Sequence, residues 1–377
     1  MAETNSGTGQ ARVMRAAVLA ASVVITASFA AAACGPPVKA DPATGSGKLS
    51  VIAASFPTPS TGWLLGVPPC AYRAHPCRTL LLRRTSDGGR TWLAAQAPPA
   101  GVSAILFTGR RDGWAWRPAL WHTSDGGATW RLVRIGGGPV QDVAAADGRV
   151  LAATGRCVGQ SSPWTCRFQV FTSAAGSRVW RPIPGASGRD VAYASLVVSG
   201  ETGYVFATTP DVGKPLLLTG PVNGSARWRP MAAPCPHAWS IALATAPGGW
   251  LFFGCGSEPG AGQQRKTAYI SHDGGRTWRT VAAPPSGGYL GTASMTSGGT
   301  IMLSGGRMDV YISDNRGHSW FTSRSLDYVA GVANAGWPLW AQTTSDTTGY
   351  LFQSDTFRHQ IWITSEAGRH WSPINVH

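Results

Sequence analysis

The stretch Trp121–Trp130, "WHTSDGGATW", sets Thr123, Asp125, Gly127 and Trp130 in an S/T-x-D-x-G-x-x-W spacing. A single copy would read as a catalytic site, a calcium loop or a structural turn. The chain repeats it: "RTSDGGRTW" places Thr85, Asp87, Gly89 and Trp92, and "ISHDGGRTW" places Ser271, Asp273, Gly275 and Trp278. Two more copies keep most of the pattern. "ISDNRGHSW" carries Ser313, Asn315, Gly317 and Trp320, and "ITSEAGRHW" carries Thr364, Glu366, Gly368 and Trp371. Two others are worn: "TSAAGSRVW" keeps Ser173 and Trp180 but has Ala175 for the acid, and "GPVNGSARW" keeps Asn223 and Trp228. A reacting group is needed once, whereas a residue that closes a turn is needed in every structural unit. Repetition assigns the box to architecture.

The seven box tryptophans are spaced by 38, 50, 48, 50, 42 and 51 residues. A second marker alternates with them, a turn glycine that opens a strand and is often followed by an aromatic. It occurs as Gly62-Trp63, Gly113-Trp114, Gly203-Tyr204, Gly249-Trp250 and Gly349-Tyr350, with weaker members at Gly148 and Gly299. Leu49 to His377 spans 329 residues, or about 47 per unit, enough for four strands and their turns. Short strand-like runs such as "SAILFTG", "GYVFATT" and "GWLFFG" alternate with turn clusters and show no long helical period, which is all-β patterning. The expected fold is an all-β, seven-bladed β-propeller of four-stranded antiparallel blades over residues 49–377.

The N-terminus lies outside that fold. Arg12 and Arg15 precede an uncharged run, Ala16 to Ala33, that ends in small residues before Cys34. This reads as a signal peptide over 1–33, with an uncleaved membrane helix as the alternative. "AAAC" resembles the lipobox of bacterial lipoproteins, which implies lipidation of Cys34; Ala31 stands where that family prefers Leu, so ordinary cleavage nearby stays open. Residues 34–48 then form a Pro- and Gly-rich tether averaging about 20 Å end to end. The expected location is the outer face of the bacterial membrane, by the lipid anchor, or otherwise secreted.

Seven cysteines are an odd number for an exported protein, and lipidating Cys34 leaves six in neighbouring pairs. We expect disulfides Cys70–Cys77, Cys157–Cys166 and Cys235–Cys255. No CxxC occurs and the eight histidines are scattered, so no metal site is expected.

The units resemble the BNR or Asp-box repeats of sialidase-like propellers, and "DGWAWRPALWHTSDGGATW" is similar to repeats of photosystem II assembly-factor-like propellers. The resemblance covers nearly the whole chain after the tether, and it implies that each box occupies the hairpin between the third and fourth strands. There Asp87, Asp125 and Asp273 accept turn amides and the glycines relieve a left-handed backbone. Each box supplies one carboxylate where calcium takes six or more oxygens. Such propellers host hydrolases, receptors and assembly factors alike, so the fold alone names no activity.

In a blade of this topology the boxes share one face with the first-to-second turns, and the second-to-third turns and interblade loops form the other. All three expected disulfides fall on the face without boxes, together with Arg73, Arg78, Arg156, Arg189, Lys214, Arg265, Lys266, Arg307 and Arg358 as candidate binding residues. From Cys34 onward the net charge is +13, and 28 of the 32 basic residues in the whole chain are Arg. Arginine suits carboxylate or phosphate recognition. The expected partners are a protein or an anionic glycan or envelope polymer; export argues against nucleic acid, and a monomer without cofactors is expected.

Sialidases are the sharpest rival. That family uses an arginine triad, a Tyr/Glu pair and an Asp acid, and an early F/Y-R-I-P motif supplies the first arginine. Here the opening "LSVIAASFPTPSTGW" has no Arg, and "RPIP" at Arg181 to Pro184 follows a worn box in the third unit. Outside the boxes Glu201 and Glu258 are the glutamates of the folded part, neither in a Tyr/Glu arrangement. No GxSxG, HExxH or P-loop is present. The expectation is a noncatalytic binding or assembly module, with a divergent exo-sialidase-like glycoside hydrolase as the alternative.

Overall fold

Seven four-stranded antiparallel sheets follow one another along the chain in the computed structural model. The structure describes Leu49 to Val376 apart from 69–78, 147, 159–164, 192, 209–213, 262, 306–309, 324–338, 354–360 and 375. The expected leader, Cys34 and tether lie outside the described residues.

Blade 1 comprises β1 (Ser50–Ser55), β2 (Gly62–Val67), β3 (Leu81–Thr85) and β4 (Leu93–Ala95). Blade 2 comprises β5 (Ala104–Phe107), β6 (Gly113–Trp116), β7 (Leu120–Thr123) and β8 (Arg131–Val133). Blade 3 comprises β9 (Val140–Ala146), β10 (Arg149–Val158), β11 (Thr165–Ala174) and β12 (Arg181–Val191). Blade 4 comprises β13 (Tyr193–Ser199), β14 (Thr202–Thr208), β15 (Pro215–Pro221) and β16 (Arg229–Pro230). Blade 5 comprises β17 (Ser240–Ala246), β18 (Trp250–Gly256), β19 (Lys266–Ser271) and β20 (Arg279–Val281). Blade 6 comprises β21 (Leu290–Met295), β22 (Ile301–Gly305), β23 (Val310–Ser313) and β24 (Phe321–Thr322). Blade 7 comprises β25 (Leu339–Thr343), β26 (Gly349–Gln353), β27 (Ile361–Thr364) and β28 (Ser372–Ile374). The expected seven-bladed propeller is therefore the fold.

The sequence of each strand follows its radial position. Second strands are covered on both faces by neighbouring blades, so they read as continuous apolar runs: "GWAW" of β6 and "IMLSG" of β22 are buried throughout. Fourth strands such as β4 and β8 are two to three residues long and largely exposed, except in blade 3, where β12 runs for 11 residues. The core lies between blades. Trp63, Leu65, Leu82, Ile105 and Phe107 fill the joint of blades 1 and 2, and Leu49, Phe56, Tyr350, Ile361 and Ile374 fill that of blades 7 and 1.

Polar side chains on or beside the innermost strands clasp each blade to the next. Phe107 N donates to Ser55 Oγ, Trp116 Nε1 to Gln141 O, and Leu196 N to Asp142 Oδ2. Thr245 Oγ1 donates to Val198 O, Leu290 N to Gln264 Oε1, Thr343 N to Ser294 Oγ, and Phe56 N to Gln342 Oε1. These bonds join all seven pairs of adjacent blades, and Asp142 is the one carboxylate among their side chains.

Candidate binding face

The box turns are built alike in blades 1, 2 and 5. In blade 2, Thr123 Oγ1 accepts the Gly127 amide at 2.9 Å and donates to Asp125 Oδ1 at 2.7 Å. Asp125 in turn accepts the amides of Ala128 and Thr129 at 3.0 and 2.9 Å and the Thr129 hydroxyl at 2.6 Å. The same set joins Thr85, Asp87 and Thr91, and Ser271, Asp273 and Thr277. Threonine hydroxyls at Thr91, Thr129 and Thr277 lead in holding the three carboxyls well below the usual range. Every carboxylate oxygen therefore has a donor within its own turn, as a turn-closing residue requires. The buried half of the motif is its leading hydroxyl, Thr123, at 1% exposure.

The worn box of blade 3 has lost this closure. Ser173 Oγ turns to the carbonyl of Ala174, and Ser177, where intact boxes have their second glycine, donates its amide to that same carbonyl.

That second glycine also faces the preceding blade. Gly127 has φ +90°, and a Cβ there would stand 2.8 Å from Leu82 of blade 1. The box tryptophans reach the same way, Trp130 Nε1 donating to Gln96 O and Trp320 Nε1 to Ala282 O, both at 2.8 Å. The box face is thus committed to joining blades.

At the opposite face lie the described candidates Arg156, Arg189, Lys214 and Arg265. Cys157–Cys166 closes the end of the β10–β11 ladder and Cys235–Cys255 ties an interblade loop to β18, as expected. Cys70 and Cys77 lie outside the described residues, as do Arg73, Arg78, Arg307 and Arg358. Arg156, Arg189, Lys214 and Arg265 are exposed.

Lys266 corrects the expectation of a surface cation: it is 2% exposed, and its Nζ donates to the carbonyls of Pro285, Gly287 and Gly288 at 2.9, 2.7 and 3.0 Å. Strand alternation puts it on the inward face of β19 with Ala268 and Ile270, where it lies 5.1 Å from the Tyr311 ring centroid. The caged ammonium organises the loop between blades 5 and 6.

Nearer the axis, three blades bring together a cluster for which the sequence has no local pattern. Arg117, in the β6–β7 turn with φ +76°, lays its guanidinium over the Tyr193 ring at 5.1 Å and donates to the Tyr193 hydroxyl. Arg117 Nε also donates to Gln141 O at 3.2 Å, and that carbonyl accepts the Tyr193 hydroxyl. Beside them Asp142 accepts the amides of Leu196 and Val143 at 2.8 and 3.0 Å. Asp142 keeps slight solvent access, yet crowding by protein outweighs those amides and Arg117, pushing its carboxyl up to about 6. Burial likewise pushes the Tyr193 phenol upward. With both oxygens of Asp142 taken by backbone, the cluster serves to lock blades 2, 3 and 4 at the mouth of the axis.

No family model matches the chain. A probable oligoxyloglucan-reducing end-specific xyloglucanase from Neosartorya fischeri is 25% identical over 273 residues, which cover 68% of this chain and 31% of that protein. The chain thus matches under a third of that relative's length. Among solved structures, YCF48 bound to D1 peptide shares 17% identity at a TM-score of 0.54, covering 88% of this chain and 97% of that one. YCF48 from Cyanidioschyzon merolae shares 16% identity at a TM-score of 0.56, covering 85% and 96%. At these identities the two structures are alike in fold.

Proposed function

We propose that this chain is an exported, noncatalytic binding or assembly module whose Asp-box (BNR-type) propeller works through the face opposite the boxes. Cys34 carries a lipid after removal of the leader 1–33, and residues 34–48 tether the propeller to the outer face of the bacterial membrane. The partner is a protein or an anionic glycan or envelope polymer, taken by a monomer without metal or cofactor. The observation that carries this reading is the division of labour between the two faces. Box hydroxyls, carboxylates and tryptophans are consumed by turn closure and blade joints, while at the other end two disulfides hold loops beside the exposed Arg156, Arg189, Lys214 and Arg265. Binding tends to reside in loops held by a rigid scaffold. A YCF48 structure bound to D1 peptide gives a precedent for protein recognition by this fold.

The xyloglucanase relative supports a second reading, a divergent glycoside hydrolase. Glycoside hydrolysis uses two carboxyl groups flanking the scissile bond. Against it stands Asp142, a carboxyl raised toward neutrality that nevertheless spends both oxygens on backbone amides.

Crosslinking and pull-down from membranes with the anchored protein tests the proposal. The expected result is a distinct protein or polymer captured and no sugar released from a glycan panel; sugar release with turnover overturns it. Cys34→Ala is expected to move the protein from the membrane to the soluble fraction or to block its processing, and unchanged attachment would refute the lipid anchor.

A further inference from the structure

We propose that the end of blade 3 is a phosphate-binding site formed by Arg156 and Arg167. The inference rests on the binding-module reading and deepens it by naming the ligand chemistry. In the β10–β11 ladder Arg156 lies directly opposite Arg167, one rung from the disulfide-bonded pair Cys157 and Cys166. Directly opposed residues project from the same face of a sheet with Cβ atoms about 5 Å apart. Slipping an antiparallel register by one residue would turn every side chain to the other face. The disulfide fixes the register that holds the two arginines together.

Like charges directly opposite each other oppose folding. Both arginines are exposed, and neither makes an ion pair or hydrogen bond with the described residues. Opposite Arg167 on β12, Arg189 and Asp190 form a bulge, with Asp190 at φ +59°, so a third guanidinium stands on the adjacent strand. Asp190 forms no ion pair with any of the three. The stem of Arg156 is positioned by the loop before β9. Gly138 has φ +117°, and a Cβ there would stand 2.8 Å from Arg156 Cγ, so the glycine clears the path the side chain takes.

The paired geometry selects among anions. A carboxylate offers a single two-oxygen edge to a guanidinium fork, whereas a phosphate group presents several such edges and accepts two forks at once. Two adjacent guanidiniums held by a covalent rung therefore suit a phosphate better than an acidic peptide. The phosphate belongs either to a lipid headgroup or to a soluble phosphate compound, and the test separates these.

The full chain carrying Cys34→Ser, so that no attached lipid contributes, is titrated with inorganic phosphate by calorimetry. It is then floated with vesicles of phosphatidylglycerol in phosphatidylcholine, and of phosphatidylcholine alone. We expect phosphate binding that falls at least about tenfold in Arg156→Gln and in Arg167→Gln. Arg156→Lys, which keeps the charge but loses the fork, should fall more than about threefold. Arg178→Gln, on the opposite end of the same blade, makes an equal charge change and should leave binding intact. Flotation with phosphatidylglycerol assigns a lipid headgroup, and phosphate binding without flotation assigns a soluble source. The inference is overturned if Arg178→Gln weakens binding as much as the paired variants, or if acetate competes as well as phosphate. A chain that captures its crosslinked membrane partner yet binds neither probe also overturns it, and leaves the function proposed above standing.

Discussion

The indole Nε1 of Trp63, in the second strand of blade 1, donates to the carbonyl of Gly126, in the box turn of blade 2, at 3.1 Å. Equivalent contacts recur around the ring. Tyr204 reaches Gly274 O at 3.4 Å, the Arg316 guanidinium lies 4.8 Å from the Trp250 ring centroid, and Tyr350 reaches Pro59 O at 2.6 Å beside the box of blade 1. The glycine–aromatic marker of one blade and the box of the next are two halves of one joint, which is why they alternate along the sequence.

Trp63→Phe tests that joint, since it keeps the ring stack on Phe107 but removes the donor to Gly126 O. A loss of about 1–2 kcal/mol is expected in urea unfolding, with an unchanged denaturant slope. Stability equal to the parent's would show that the bond contributes nothing.

Gly127→Ala and Gly101→Ala separate backbone strain from packing. Both glycines have a left-handed backbone, φ +90° and +95°, but a Cβ at 101 meets nothing within 4 Å whereas one at 127 meets Leu82. Gly101→Ala should cost about 1 kcal/mol and Gly127→Ala at least about 1 kcal/mol more, for the overpacked joint. Equal thermal shifts would place the whole cost in the backbone.

Asp142 gives the fold a pH dependence of definite sign. Its carboxyl is pushed up to about 6, against about 4 when unfolded, so between these values the folded protein binds more protons. Stability from this group is present below about pH 4 and is lost as pH rises through about 6. Asp142→Asn should match the parent at low pH and exceed it by about 1–2 kcal/mol at pH 7, allowing for residual solvent screening. A parent that gains stability relative to this variant across the same interval would reverse the assignment.

The worn box permits a repair. Ala175→Asp alone should stay within about 0.5 kcal/mol of the parent, because Ser177 leaves the turn in another form. Adding Ser177→Gly and Val179→Thr restores the partners found in blade 2, and the triple variant should gain about 1 kcal/mol. Full stabilisation by the single substitution would mean the turn was already formed.

Blade number, strand order and two disulfides were legible because each repeats locally or joins sequence neighbours. Lys266 was also within reach: its alternation with Ala268 and Ile270 marks an inward position, but adjacency to the exposed Arg265 drew both into one surface patch. Arg117, Asp142 and Tyr193 were not legible, since three blades supply them and their contacts depend on how the ring closes. Arg167 escaped for a related reason. Its opposition to Arg156 is a property of register, and the cysteine pair that sets the register was read for its covalent bond alone.

Blades 7 and 1 each complete a sheet from their own four strands, and the seam between them is made of side chains, with Leu49 and Val376 in one cluster and Phe56 stacked on Tyr350. Side chains fill the joints elsewhere in the ring as well, and at some of them backbone bonds such as Val140 N to Pro118 O are added. Joining the two ends across this seam and cutting the chain in another interblade loop would leave every sheet and every joint in place. The propeller is, in this respect, a necklace whose clasp is one more bead, and the order in which its blades are read carries no structural weight.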